Sequence, residues 1–127
     1  MKQGRIAVPS VAPGGLDSER SDHFGHCEVF TIVDVKDGNI ESVTTLPNPP
    51  HMQGGCMLTV NTLAQKGVEA VIVGGIGRGP LAGLRQSQIQ IYFGGNAPRV
   101  RDAVETLLQG KLPLLSDDQV CAGDHHH

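Results

Sequence analysis

The stretch GVEAVIVGGIGRGPLAGL, residues 67–84, decides the fold. Its first half, VEAVIVGG, is β-branched with almost no polar alternation, the pattern of a strand covered on both faces in a parallel sheet. Glycines at 74, 75, 77 and 79 then interrupt the chain. The following GPLAGLRQS is predicted to be a short helix, with Pro80 suited to a first-turn position. Strand, glycine turn and helix together are half of a parallel unit, because parallel strands need a crossover. Gly67, just before the strand, reads as the C-cap of an earlier helix.

That helix shows in Cys56, Val60, Leu63 and Ala64, which recur on one helical face up to Gly67. Downstream, IQIYFGG at 89–95 reads as another strand, and Asn96 as the cap of a last helix through Val100, Val104, Leu107 and Leu108 to Gly110. Upstream, residues 5–9 form a short apolar strand. CEVFTIVDV at 27–35 alternates two mostly apolar faces, KDGN supplies hairpin-turn chemistry, and IESVTTL returns as a third strand. The intervening PNPPHMQGG can be neither helix nor central strand. The succession is β-β-β-α-β-α-β-α. It predicts a single three-layer α/β domain over residues 1–112, with a mixed five-stranded sheet and helices on both faces. Residues 113–127 lack periodicity and read as a flexible tail. Its last residues, His125, His126 and His127, have two readings, a tag remnant or a native end.

The composition narrows the function classes. Ten basic against 13 acidic residues leave a formal charge of −3, so overall electrostatics do not point to nucleic acid. No apolar run approaches the roughly 20 residues that cross a bilayer. A cytoplasmic protein with three reduced cysteines is the expectation. One Tyr, three Phe and no Trp make the core aliphatic.

Three places carry candidate chemistry. SDHFGHCEVF, residues 21–30, places His23, His26 and Cys27 close together before a strand. They are soft ligands, but a loop does not hold them on one face, and paired structural-zinc spacing is absent. The competing reading is a polar turn with Cys27 facing the core. Second, Gly55-Cys56 opens the first helix, where orphan N–H groups and the dipole favour thiolate and bound anions. The alternative is a core position of the helix stripe. Third, GGIGRGP at 74–80 sits where an anion-binding turn would, yet it lacks the Walker Lys-Ser/Thr and the dinucleotide spacing. Tight strand-to-helix packing explains it equally well. Hydrolytic chemistry finds no support: the first strand has no carboxylate, and Ser10, Ser18 and Ser21 have no nucleophile-elbow context. No enzyme is expected.

Taken together, SDHFGHCEVFTIVD, Gly55-Cys56, GVEAVIVGGIGRGPLAGL and GNAPRVRDAVETLLQGKL resemble the dinitrogenase iron-molybdenum cofactor-binding family. Its members include nitrogenase cofactor carriers and an orange protein that holds a molybdenum-copper sulfide cluster. The resemblance implies a ribonuclease-H-like fold without nuclease acids. It also implies a carrier, assembly or storage role for an anionic metal-sulfur cluster, iron-molybdenum cofactor or a related Mo, Fe or Cu sulfide. Cluster-donor and acceptor proteins would be its partners, and neither nucleic acid nor membrane. His23, Phe24 and Gly25 match the family's His-Phe-Gly, Cys56 matches its Cys after Gly55, and Gly74, Gly75 and Gly77 match its glycine turn. His26 and Arg78 join the proposed pocket, with His23, His26 and Cys56 as metal contacts and Arg20 as a further neutralising charge. Met57 stands where members often have Gly. Two other classes remain open: a regulatory domain binding a nucleotide or small anion, and a redox thiol protein using Cys56 with Cys27 or Cys121.

Overall fold

The computed structural model describes residues 3–22, 24–25, 27–48, 55–95 and 97–115, with the backbone alone for 55–57. Its elements are β1 (Gly4–Ser10), β2 (Val29–Lys36), β3 (Asn39–Pro47), α1 (Gly55–Gln65), β4 (Ala70–Val73), α2 (Arg78–Gln86), β5 (Gln90–Phe93) and α3 (Val100–Leu108). The five strands form one sheet in the order β3-β2-β1-β4-β5. The hairpin half is antiparallel, and β1, β4 and β5 run parallel. This is the single α/β domain with a mixed five-stranded sheet that the pattern predicts.

Alternation along the strands sorts the core into two layers. Ala7, Phe30, Ile32, Val71 and Val73 pack with Val60 and Leu63 of α1 and Leu81 and Leu84 of α2. Ile6, Val8, Val33, Val35 and Ile72 pack with Val100, Ala103, Val104 and Leu107 of α3. Strands buried on both faces explain why their runs look almost uniformly apolar. Asp34, the acidic residue in β2, is answered across the sheet by Arg5, its register partner, at 2.7 Å.

The local signals hold. Asp37 and Gly38 take φ of 55° and 78°, both positive as a type I′ hairpin turn requires. Gly67 has φ 76°, and the Val68 N–H reaches back to Leu63 O to close α1. Three expectations need correction. Ala64 is exposed, so among the described side chains the buried face of α1 is Thr59, Val60 and Leu63. The N-cap position of α3 is Arg99 and carries no side-chain cap; Asn96 lies outside the described residues. Instead, Ser18 O and Leu16 O accept from the Val100 and Arg101 N–H groups, so the long loop after β1 satisfies the helix end with its own backbone. Third, the flexible tail does not begin at Pro113. Pro113 O accepts from Phe93 N–H, Leu115 N–H donates to Ile91 O, and Leu115 is buried. Too short for a periodic signal, this segment borders β5. Residues 116–127 lie outside the described residues. Among the described residues no helix is long and apolar enough to cross a membrane.

Candidate functional site

Strand direction gathers the candidate segments at one end of the sheet. β1 ends at Ser10, which pairs with Val29 at the start of β2, and Val29 pairs with Pro47 at the end of β3. β4 and β5, parallel to β1, end at Val73 and Phe93 on the same side. Residues 20–22, 24–25 and 27–28, the start of α1 at Gly55, the turn 74–77 and Gly94 after β5 therefore share the carboxyl end of the parallel strands. Open α/β sheets place ligands there. His23 and His26 lie outside the described residues, as does the side chain of Cys56. Among the described residues no three His, Cys, Asp or Glu side chains gather to hold a metal ion.

The loop that carries the two histidines is held by its neighbours. The ring of Phe24 is 1% exposed and meets Phe30 edge-on, with centroids 5.5 Å apart. Phe24, expected to line the pocket, is instead the anchor that pins this loop into the core. Cys27 is buried beside it, its Sγ 3.6 Å from Phe24 O. Burial pushes the Cys27 thiol up to about 12, so it stays neutral at physiological pH. This is a core thiol and a poor thiolate donor, as the packing alternative predicts.

Asn48 is the residue that sequence reading missed. Its amide donates to Cys27 O at 2.8 Å and to Gly25 O at 3.3 Å, and its Oδ1 accepts from Thr59 of α1 at 3.0 Å. One side chain thus ties the histidine loop to the end of β3 and to the helix that carries Cys56. The sole local hint was an Asn amid prolines where neither helix nor strand continues.

The glycine turn also reads differently in three dimensions. A Cβ on Gly74 would stand 2.5 Å from Asp22 Oδ1 and 3.0 Å from Arg20 Nη1. The open face of Gly74 is therefore occupied by the loop from β1, and the close approach is within the chain. Gly75 and Gly77 are half-buried and Arg78 is exposed at the start of α2, which has no side-chain cap. Gly94 makes the same allowance on β5, where a Cβ would meet Ile72 Cγ2 at 2.8 Å and Arg20 Nε at 3.2 Å. A separate open cleft of about 470 Å³, lined by Phe93, Ala97, Pro98 and Leu112 among others, is mostly apolar and includes none of the candidate ligands.

These features define a small α/β protein whose loops and helix starts converge at one end of a mixed sheet. Residues 5–110 match the family described as dinitrogenase iron-molybdenum cofactor, and the chain belongs to that family. An uncharacterised protein of Methanocaldococcus jannaschii is 31% identical over 115 residues, 88% of this chain and 92% of the relative. The apo form of the orange protein from Desulfovibrio gigas superposes with a TM-score of 0.77 at 25% identity, over 89% of this chain and 93% of that one. A Thermotoga protein provisionally named as NifB gives a TM-score of 0.73 at 31% identity, over 88% and 93%.

Proposed function

We infer that this protein binds an anionic metal-sulfur cluster at the carboxyl end of its parallel strands, as a carrier or as an assembly or storage protein. It does so in the cytoplasm and without catalytic turnover of its own. The observation that carries this reading is convergence: the segments bearing His23, His26, Cys56 and the glycine turn, separate in sequence, share one sheet end in a chain of the iron-molybdenum cofactor family. The mixed sheet with its antiparallel hairpin supports describing the fold as ribonuclease-H-like. His23, Cys56 and His26 are the residues assigned as metal contacts, by their match to the family and their soft donor chemistry. The start of α1 supplies N–H groups that suit a polyanion. Soft ligands accept Mo–S, Fe–S and Cu–S species alike, so cluster identity follows from loading chemistry. Release to an acceptor protein favours few contacts on loops over a closed cage.

The test is anaerobic purification with metal analysis and visible spectroscopy, followed by loading with tetrathiomolybdate or extracted cofactor. Broad sulfide-to-metal absorption that weakens in Cys56→Ser and His23→Ala is the expected result. A colourless protein that takes up neither probe overturns the reading.

A further inference from the structure

Arg20 lies on the loop after β1, and its side chain is 4% exposed. Nε donates to Ala97 O at 2.9 Å and Nη2 to Gly95 O at 3.0 Å. Nη1 is buried and, among the described residues, has no hydrogen-bond partner. It lies beside Gly74, 3.0 Å from where a Cβ there would stand, at the turn where β4 gives way to α2. The carboxylate beside this guanidinium is Asp22, with Oδ1 at 3.3 Å from Nη2 and a side chain 73% exposed. Asp22 Oδ1 and Arg20 Nη1 both crowd the same side of Gly74.

An arginine whose task was only to tie down the loop after β5 would have its donors matched. Here a buried cation keeps one nitrogen unmatched, which is costly and calls for a cause. Its counter-charge is a mostly solvated aspartate held by one long contact. We propose that Arg20 recognises a compact inorganic dianion, and that Asp22 is a tethered carboxylate holding the anion's place until it arrives. The incoming anion displaces Asp22 into water, takes its place as the counter-charge beside Nη2 and gives Nη1 an acceptor. The missing Cβ of Gly74 leaves a space that Asp22 Oδ1 now fills, and the anion enters it as Asp22 leaves. The proposal rests on the cluster-binding reading and refines it. A terminal sulfide or oxide edge is hydrogen-bonded by a buried guanidinium, apart from any ligation of metal.

The probe is tetrathiomolybdate, titrated without oxygen into the full chain and followed by absorbance and by the Arg20 Nε–H resonance. Asp22→Asn is expected to bind roughly tenfold tighter or more, and Arg20→Met roughly tenfold to a hundredfold weaker, the worth of one or two charge-assisted hydrogen bonds. Arg20→Lys, which keeps the charge but loses the fork, falls between. Asp17→Asn makes the same change in net charge at the exposed partner of Arg101 and is expected to stay within about twofold of the parent. Because Arg20→Met can fail to fold, the exposed Asp22→Asn decides. Affinity unchanged, weakened, or raised no more than in Asp17→Asn overturns the proposal. Uptake that needs Cys56 and His23 but ignores Asp22→Asn and leaves the Arg20 resonance unmoved overturns this proposal alone. Absence of uptake by parent and Asp22→Asn alike overturns the cluster-binding reading with it.

Discussion

Replacing Asn48 by alanine tests whether one amide holds the two halves of the candidate site together. The substitution removes donors to Cys27 O and Gly25 O and the acceptor for Thr59 Oγ1, at 2.8, 3.3 and 3.0 Å. At about 1 kcal/mol per bond, with the longest counted as weak, the loss is about 2–3 kcal/mol. For a chain of 127 residues each kcal/mol moves the melting temperature by roughly 3–6 °C, so a fall of roughly 10 °C is expected. Circular dichroism melts under reducing conditions measure it. The amide resonances of Gly25, Cys27 and Thr59 should shift, and tetrathiomolybdate uptake should fall because the histidine loop loses its tie to α1. Asn48→Asp sharpens the test: it keeps an acceptor for Thr59 but turns a carboxylate toward two carbonyl oxygens, so it should be at least as damaging at pH 7. If both variants melt within about 3 °C of the parent and load normally, the clamp is not what positions the loop.

The buried Cys27 thiol, pushed up to about 12 against an ordinary 9.0, should react with iodoacetamide at pH 8 roughly a thousandfold more slowly than an unperturbed thiol. Peptide mass mapping reads this, and labelling of Cys27 at the rate of a free thiol would contradict its burial. The same shift gives an alkaline prediction. Between about pH 9 and 12 the folded state holds a proton that the unfolded thiol has released, so stability falls by about 1.4 kcal/mol per pH unit, a slope that Cys27→Ala should lack. Gly94→Ala drives a Cβ to 2.8 Å from the fully buried Ile72 and against the tethered Arg20, and should cost about 1–3 kcal/mol in a urea titration. Gly79→Ala meets nothing within 4 Å at the start of α2 and should be neutral or stabilising by up to about 1 kcal/mol; the reverse ranking would refute the packing argument. Arg5 beside Asp34 holds its carboxyl below the ordinary value. That stability is present above the unfolded pKa near 3.9 and lost as pH falls through the lower folded one. The pair is partly exposed and screened, so its contribution is small, and Asp34→Asn should slightly flatten the acid limb of urea midpoints between pH 2 and 6.

The elements were legible because their signals are local. Period two with Asp37-Gly38 specifies the hairpin, Gly67 stops α1, and the uninterrupted apolar run at 70–73 announces a strand covered on both faces. Where the reading erred, the deciding contact lay elsewhere in the chain. The pattern points to an Asn cap for α3 because caps are usually side chains, whereas loop carbonyls from residues 16 and 18 fill that role. The segment at 113–115 is too short to show a period, and its ordering comes from β5.

By itself, the sequence determined the order and kind of the elements, the family, and the residue types able to meet a soft anionic cargo. Those follow from spacing along one chain. The tertiary structure alone decided which groups face each other. It turned Phe24 and Cys27 from candidate contacts into anchors, made Asn48 the link between positions 25, 27 and 59, and brought the guanidinium of Arg20 to carbonyls 75 and 77 residues away. The physical reason is that burial and hydrogen-bond pairing depend on distance in space. In a sheet ordered β3-β2-β1-β4-β5, the neighbours that set them come from the far ends of the chain.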